Sequence, residues 1–108
     1  MGFGDMQRMM RQVQKMQTEV VRIQEEVGQR TVESSAGGGA VVAVANGKGE
    51  LTSLRVSAEA VDPSDPEMLA DLILTACNEA LRQAREMMTQ EIAKATGQRG
   101  GMPGLPGF

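Results

Sequence analysis

Val41-Val-Ala-Val-Ala-Asn-Gly-Lys-Gly-Glu-Leu-Thr-Ser-Leu-Arg-Val56 admits two readings, and the choice between them decides the fold. Its centre, Asn46-Gly47-Lys48-Gly49, has the glycines and lysine of a phosphate cradle, while its flanks look like strands. A P-loop needs a Gly-Lys-Ser/Thr ending that opens a helix, so that helix N-terminal N–H groups face the phosphate. Here Lys48 is followed by Gly49 and Glu50, so no hydroxyl is set for a metal ion, and Leu51 to Val56 then alternate in strand fashion. No Gly-x-Gly-x-x-Gly stands between a strand and a helix. A hairpin needs only that Asn and Gly accept positive φ between two β-prone runs. The segment reads as a turn between strands. Gly37-Gly38-Gly39, which leads into Val41 to Val44, reads the same way.

Outward from this hairpin, residues 29–57 read as three strands. Thr31 to Ser34 is the weakest. Ala40 to Ala45 is the strongest, with Val42 and Val44 on one face and Val41, Ala43 and Ala45 on the other, a pattern that asks for cover on both sides. Leu54 and Val56 are expected to share a face with Thr52. A three-stranded sheet has two edges and is marginal alone. Upstream, residues 5–27 read as a helix. Met6, Met9, Val13, Met16, Val20, Ile23 and Val27 alternate in steps of three and four, the a/d seam of a helix that packs lengthwise on another. Gly28 sits where a C-terminal glycine belongs.

Downstream, Ser64-Asp-Pro-Glu67 opens a helix over residues 65–95. Ser64 and Glu67 have capping-box spacing, Asp65 can also cap, and proline suits a first turn. Ala76, Ala80 and Ala84, spaced by four, form a small-residue stripe that admits a close neighbour. At 1.5 Å per residue this helix is roughly 45 Å long, far longer than the sheet, so part of it should project or meet another chain. The expected organisation is one α+β domain over residues 1–96 and a flexible Gly/Pro tail over 97–108.

Composition excludes several classes of function. The 108 residues contain no histidine, which removes the commonest general base and the commonest transition-metal ligand. Carboxylates sit beside Lys or Arg at helical spacings, and none lies in an apolar setting that would raise its pKa. Nothing marks an enzyme, and no cofactor, metal or small-molecule substrate is expected. A single cysteine, Cys77, forms no internal disulfide and suits a reducing cytoplasm. No apolar run is long enough for a membrane span, and the N-terminus lacks a signal peptide's apolar region.

The net charge of −3 conceals a segregation. Residues 1–24 sum to +2, residues 25–81 to −7 and residues 82–108 to +2. Arg8, Arg11, Lys15 and Arg22 recur at intervals of 3, 4 and 7, so they form one stripe on the first helix, off the seam. Such a stripe can neutralise phosphates and gain affinity by counterion release. It can equally be a solvated face in which Lys15 pairs with Glu19 and Arg22 with Glu26. No recognition-helix signature and no aromatic platform for single strands is present.

Four motifs in order resemble the YbaB/EbfC family of nucleoid-associated DNA-binding proteins. They are Met9-Met-Arg-Gln-Val-Gln-Lys-Met-Gln17, Val42-Ala-Val-Ala-Asn-Gly-Lys-Gly-Glu50, Leu69-Ala-Asp-Leu-Ile73 with Ala76-Cys-Asn-Glu-Ala80, and Met102-Pro-Gly-Leu-Pro-Gly-Phe108. The resemblance implies a helix–three-stranded antiparallel sheet–long helix protomer. It also implies a tweezer-like homodimer with projecting helical arms, and a cytoplasmic location on the nucleoid. Carried over by position, the DNA contacts are Arg8, Arg11, Lys15 and Arg22 in the first helix and Arg82, Arg85 and Lys94 in the second. This sequence departs from the family pattern at Ser57-Ala58, where an acidic-proline ending is usual, and in its longer glycine run at Gly37 to Gly39. The expected partners are double-stranded DNA and a second copy of the chain, with no membrane. The rival reading is a dimeric helical adaptor that binds a protein through the Met-rich seam. Because a ligand of the native state must raise its stability, ATP and GTP should leave the melting temperature unchanged in a thermal scan. A clear upward shift would restore the phosphate cradle.

Overall fold

The computed structural model describes residues 2–97. Helix α1 spans Phe3–Gly28, strands β1, β2 and β3 span Thr31–Ala36, Val41–Asn46 and Leu51–Val56, a 3-10 turn covers Ala58–Ala60, and helix α2 spans Pro66–Ala95. The strands form an antiparallel meander in the order β1-β2-β3. The fold is thus α+β, as the hairpin reading requires. The tail expected over 97–108 lies, apart from Gly97, outside the described residues.

The core forms where α2 crosses the sheet. Ala76, Ala80 and Ala84 are fully buried against Val41, Ala43 and Ala45, which are fully buried in turn. A helix that presents only alanine can approach a strand closely, and the stripe read from the sequence does this. Leu69, Leu72, Ile73, Cys77 and Leu81 pack around the cluster from α2, and Val32 and Ala36 from β1. Gly37, Gly38 and Gly39 all have positive φ, and a Cβ on Gly37 would stand 3.1 Å from both methyls of Leu72. The glycine run therefore serves a loop conformation and, at Gly37, the seating of α2.

The cover expected on the second face of β2 does not come from a described element of the same chain. Val42 and Val44 are half-buried without a second layer. An ion pair spans the strand instead: Arg55, opposite Val42, reaches Glu33, opposite Val44, at 3.2 Å. The placement of Thr52 is corrected. Ser53 pairs with Val44 and Leu51 with Ala45, so a β-bulge leaves Thr52 as the extra residue. Leu51 and Leu54 are three apart and could not share a face by strict alternation. The bulge restores Leu51 to the face of Leu54 and Val56. That face is open on this strand, because α2 lies over β2 and β1 and barely meets β3. Leu51 and Leu54 are each 45% exposed and Val56 37%.

Asp65, not Ser64, caps α2, accepting the Met68 N–H at 3.2 Å; Pro66 is the first helical residue. Ser64 is committed elsewhere, since both its N–H and its hydroxyl donate to Asp62. The far half of α2 does not project alone but lies beside the C-terminal half of α1. It is α1 that projects, giving a molecule of 74 × 28 × 16 Å. The radius of gyration is 20.3 Å, where a rounded domain of this length has about 13 Å.

The root of α1 is held by the β2–β3 turn. Neither Asn46 nor Gly47 has positive φ, contrary to expectation; in this turn only Gly49 does. Gly47 is needed for close approach. A Cβ there would overlap the Val27 carbonyl and come within 3.1 Å of Gly28 Cα, and its N–H donates to the Arg30 carbonyl at 3.0 Å. Gly28 answers a similar need, since its own Cβ would stand 3.0 Å from Lys48 Cγ. Gly47→Ala should cost about 3 kcal/mol in urea unfolding, because backbone must move to admit the methyl. Gly49→Ala, which meets open space and only adopts a left-handed conformation, should cost about 1 kcal/mol. Equal costs would mean that the close approach does not hold α1.

Candidate nucleic-acid interface

The turn that mimics a phosphate cradle has no free backbone N–H groups to offer. Gly47 N–H is bound to Arg30, Gly49 N–H to the Asn46 carbonyl, and the N–H groups of Lys48 and Glu50 to Asn46 Oδ1 at 3.0 and 3.1 Å. Asn46 closes the loop on itself. Among the described residues no cluster of metal-ligating side chains occurs, and no helix is long and apolar enough to cross a membrane.

What the surface does carry is a helix with two opposed sides. From 3.6 residues per turn, the Arg8–Arg11–Lys15–Arg22 stripe lies about 140° around α1 from the seam, more nearly opposite it than beside it. Along its length α1 divides at Met16. Toward the root, Ile23 and Val27 are buried and Val20 is half-buried. Toward the tip, Met6, Met9, Val13 and Met16 are 53–62% exposed, and Phe3 and Met10 are exposed with them. The last turn of α2 ends here: Ala95 and Thr96 line a groove with Gln12, Lys15, Met16 and Glu19. Residues 3–12 continue past it for about 14 Å.

The cations divide at the same level. Arg22 is held by Glu19 and by Glu26 at 2.9 Å. Lys94 approaches Glu91 at 3.6 Å, and Glu91 also receives Arg30 at 3.2 Å. Glu19, Arg22, Glu26, Arg30, Glu91 and Lys94 thus form a neutral junction between the two helices. Arg82 is clamped by Glu79 and Glu86 on the outer surface of α2. In contrast, Arg11, Lys15 and Arg85 have no carboxylate within 4.0 Å among the described residues, and Arg8 reaches Asp5 only at 4.0 Å. The structure therefore brings Arg8, Arg11 and Lys15 together on the projecting half of α1. It does not join the α2 cations to them as one surface: Lys94 and Arg85 lie about 180° apart around their helix.

Titration follows the pairing. The hydrogen bond from Arg22 holds the Glu19 carboxyl below its usual range, Arg30 and then Lys94 do the same to Glu91, and Arg82 with Gln83 lowers Glu79 to about 2. All three carboxylates remain partly open to solvent, so the pairs fix charge more than they stabilise the fold.

Fold and surface together define a small α+β protein with a protruding helix, apolar on one side and cationic on the other, rooted in an acidic body. The sequence profile of the YbaB/EbfC DNA-binding family matches residues 1–99. A nucleoid-associated protein of Moorella thermoacetica is 57% identical over 108 residues, covering all of both chains. One from Pelotomaculum thermopropionicum is 56% identical over 102 residues, 94% of this chain and 96% of its own. The crystal structure of an uncharacterized Helicobacter pylori protein superposes with a TM-score of 0.62 at 24% identity, covering 73% of this chain and 92% of that one, which shows the shared fold. The chain belongs to the YbaB/EbfC DNA-binding family, which is not a family of enzymes.

The Glu79–Arg82 pair makes a direct prediction. The folded pKa is depressed, so its stabilising contribution is present above the ordinary glutamate value of 4.5 and is lost as pH falls toward about 2. In a carboxyl NMR titration Glu79 should stay ionised well below the usual glutamate range, and Arg82→Gln should return it to that range. An unchanged Glu79 in that variant would refute the pairing.

Proposed function

We propose that this chain is a non-catalytic DNA-binding protein of the cytoplasmic nucleoid, acting as a homodimer that grips the duplex through phosphate contacts from its α1 arms. One observation carries the reading: Arg8, Arg11 and Lys15, none of them with a carboxylate closer than 4.0 Å, follow one another along the half of α1 that runs from the end of α2 out to the tip. A cation already clamped by two carboxylates has little to gain from a phosphate, so Arg8, Arg11 and Lys15 are the contacts we assign first. Arg85 on α2 comes second, and Arg22, Arg82 and Lys94, each already engaged by a carboxylate, come last. The names of the relatives support the partner. Phosphate contacts fix position and carry little sequence information. The body between residues 25 and 81, at −7, repels a duplex and leaves the arms as the favourable approach.

The homodimer is supported by β3. It is an edge strand whose Leu51, Leu54 and Val56 continue the core face of the sheet beyond the reach of α2. A second copy that covers this flank buries apolar surface and removes an open edge in one step. The open Met seam favours the second reading, an adaptor that grips a protein partner. An adaptor shows no duplex binding at any salt concentration.

Replacing Arg8, Arg11 and Lys15 with Gln keeps helix propensity and leaves the β3 flank intact. A symmetric dimer then loses six cations. If about half of them touch phosphates, the slope of log affinity against log salt should become shallower by roughly 2 to 3 units, on any duplex sequence. Arg22→Gln with Arg82→Gln should leave the slope unchanged. A triple variant that sediments as a dimer and binds as before overturns the arm contacts.

A further inference from the structure

The seam on the projecting half of α1 is complementary to itself. Met6, Met9, Val13 and Met16 stand exposed along it. Laid antiparallel on a second copy, the strip forms four layers: Met6 meets Met16, Met9 meets Val13, and the same two pairs recur in reverse. Each layer joins an a position to a d position, so knobs and holes alternate along one line. A contact that maps onto itself through a two-fold axis closes as a pair.

Charge permits the contact. In a heptad pair the residues beside the seam decide which helices accept each other. Here they are Asp5, Met10, Gln12 and Gln17, with a single charge among them. Glu19, where the strip ends, is already held by Arg22. The Arg8–Arg11–Lys15 stripe lies about 140° around the helix from the seam and does not face the second copy. In the same register the exposed Phe3 of the second copy comes level with Glu19, at the groove that Lys15, Met16, Ala95 and Thr96 line beside the end of α2.

The length of α1 decides which copy this is. In such a pair the two Val27 residues stand about 48 Å apart, at 1.5 Å per residue. Val27 rests against Gly47 in the β2–β3 turn, at one end of a strand of six residues. That strand is only about 20 Å long. Copies that cover each other's β3 flank hold their roots closer than 48 Å, so the second arm belongs to another dimer.

We propose that the projecting halves of α1 from two dimers pair antiparallel through this seam, and that the pair bridges two DNA duplexes. Because each cationic stripe is turned away from the seam, pairing sends one stripe outward on either side, and each side faces its own duplex. The bridge rests on the phosphate contacts proposed above; the pairing of the arms does not. A strip of this length buries of the order of 800 Å² in total, below the range of stable interfaces. A single pair of arms is therefore weak and reversible. Dimers gathered along the same two duplexes engage several pairs at once, and their combined strength grows without any new contact.

The test uses the full chain. Proteins carrying Met6→Cys and Met16→Cys are mixed, with and without duplex DNA, oxidised, and their cross-links located by peptide mass. Antiparallel pairing should join position 6 to position 16. Met9→Gln with Val13→Gln alters only exposed sites on the arm and keeps every cation. That variant should bind one duplex with unchanged affinity and salt slope. Its capture of a second duplex onto a bead-bound first should fall at least tenfold. Links of 6 to 6 and 16 to 16 would place the arms parallel within one dimer and overturn the proposal. Undiminished capture by the Met9, Val13 variant overturns it too, as does the absence of any arm link at a concentration where the unaltered chain captures the second duplex. Duplex binding that survives Arg8→Gln, Arg11→Gln and Lys15→Gln defeats the arm contacts and with them the bridge, while a 6-to-16 link formed without DNA still reports the pairing separately.

Discussion

Six small side chains govern the architecture: Ala76, Ala80 and Ala84 on α2, and Val41, Ala43 and Ala45 on β2. With no aromatic between Phe3 and Phe108, the core cannot be filled by a few large rings and is closed by proximity instead. Close approach centres α2 on β2 and β1, which leaves the core face of β3 beyond its reach. The same line carries the far half of α2 past the sheet and onto the root of α1. A core of alanine and valine buries little apolar area per residue, at about 25 cal/mol per Å². The apolar surfaces left open at β3 and on α1 are the counterpart of that economy.

Charge is arranged by the same division between rooted and projecting helix. An ion pair on a helix needs an opposite charge three or four residues away. Arg22 has Glu19 and Glu26 at those distances, and Arg82 has Glu79 and Glu86. Arg11 has only Gln7, Arg8, Gln14 and Lys15, and Arg85 has Leu81, Arg82, Met88 and Thr89. Lys15 could turn only to Glu19, which Arg22 already holds. The tip of α1 is thus cationic because its neighbours in sequence are amides and cations, while the root is neutral because glutamates enter at Glu19.

Much of this was legible in the sequence. The elements follow from periodicity and turn residues, and the alanine stripe announced its close neighbour. What stayed hidden depended on contacts between distant segments. Gly47 looked like a residue chosen for positive φ, yet it serves the carbonyl of Val27, twenty positions away. The seam of α1 reads as uniform, but whether a given methionine is covered depends on where α2 ends in space. The capping box at Ser64 was a sound pattern defeated by Asp62, two residues earlier. The sorting of cations was legible in part: Arg11 and Arg85 have no acid one turn away, whereas Lys15 has Glu19, and only the structure gives that carboxylate to Arg22.

The bulge at Thr52 also bears on how the gene can change. An insertion or deletion inside a strand ordinarily reverses every side chain beyond it and destroys the core face. In β3 the ladder already carries one residue more than alternation allows. Remove Thr52, and Leu51, Leu54 and Val56 fall on alternate positions of a regular strand, on the same face as before. Strand β3 is therefore a place where chains of this family can differ by one residue in length while the hairpin, the sheet and the flank keep their geometry.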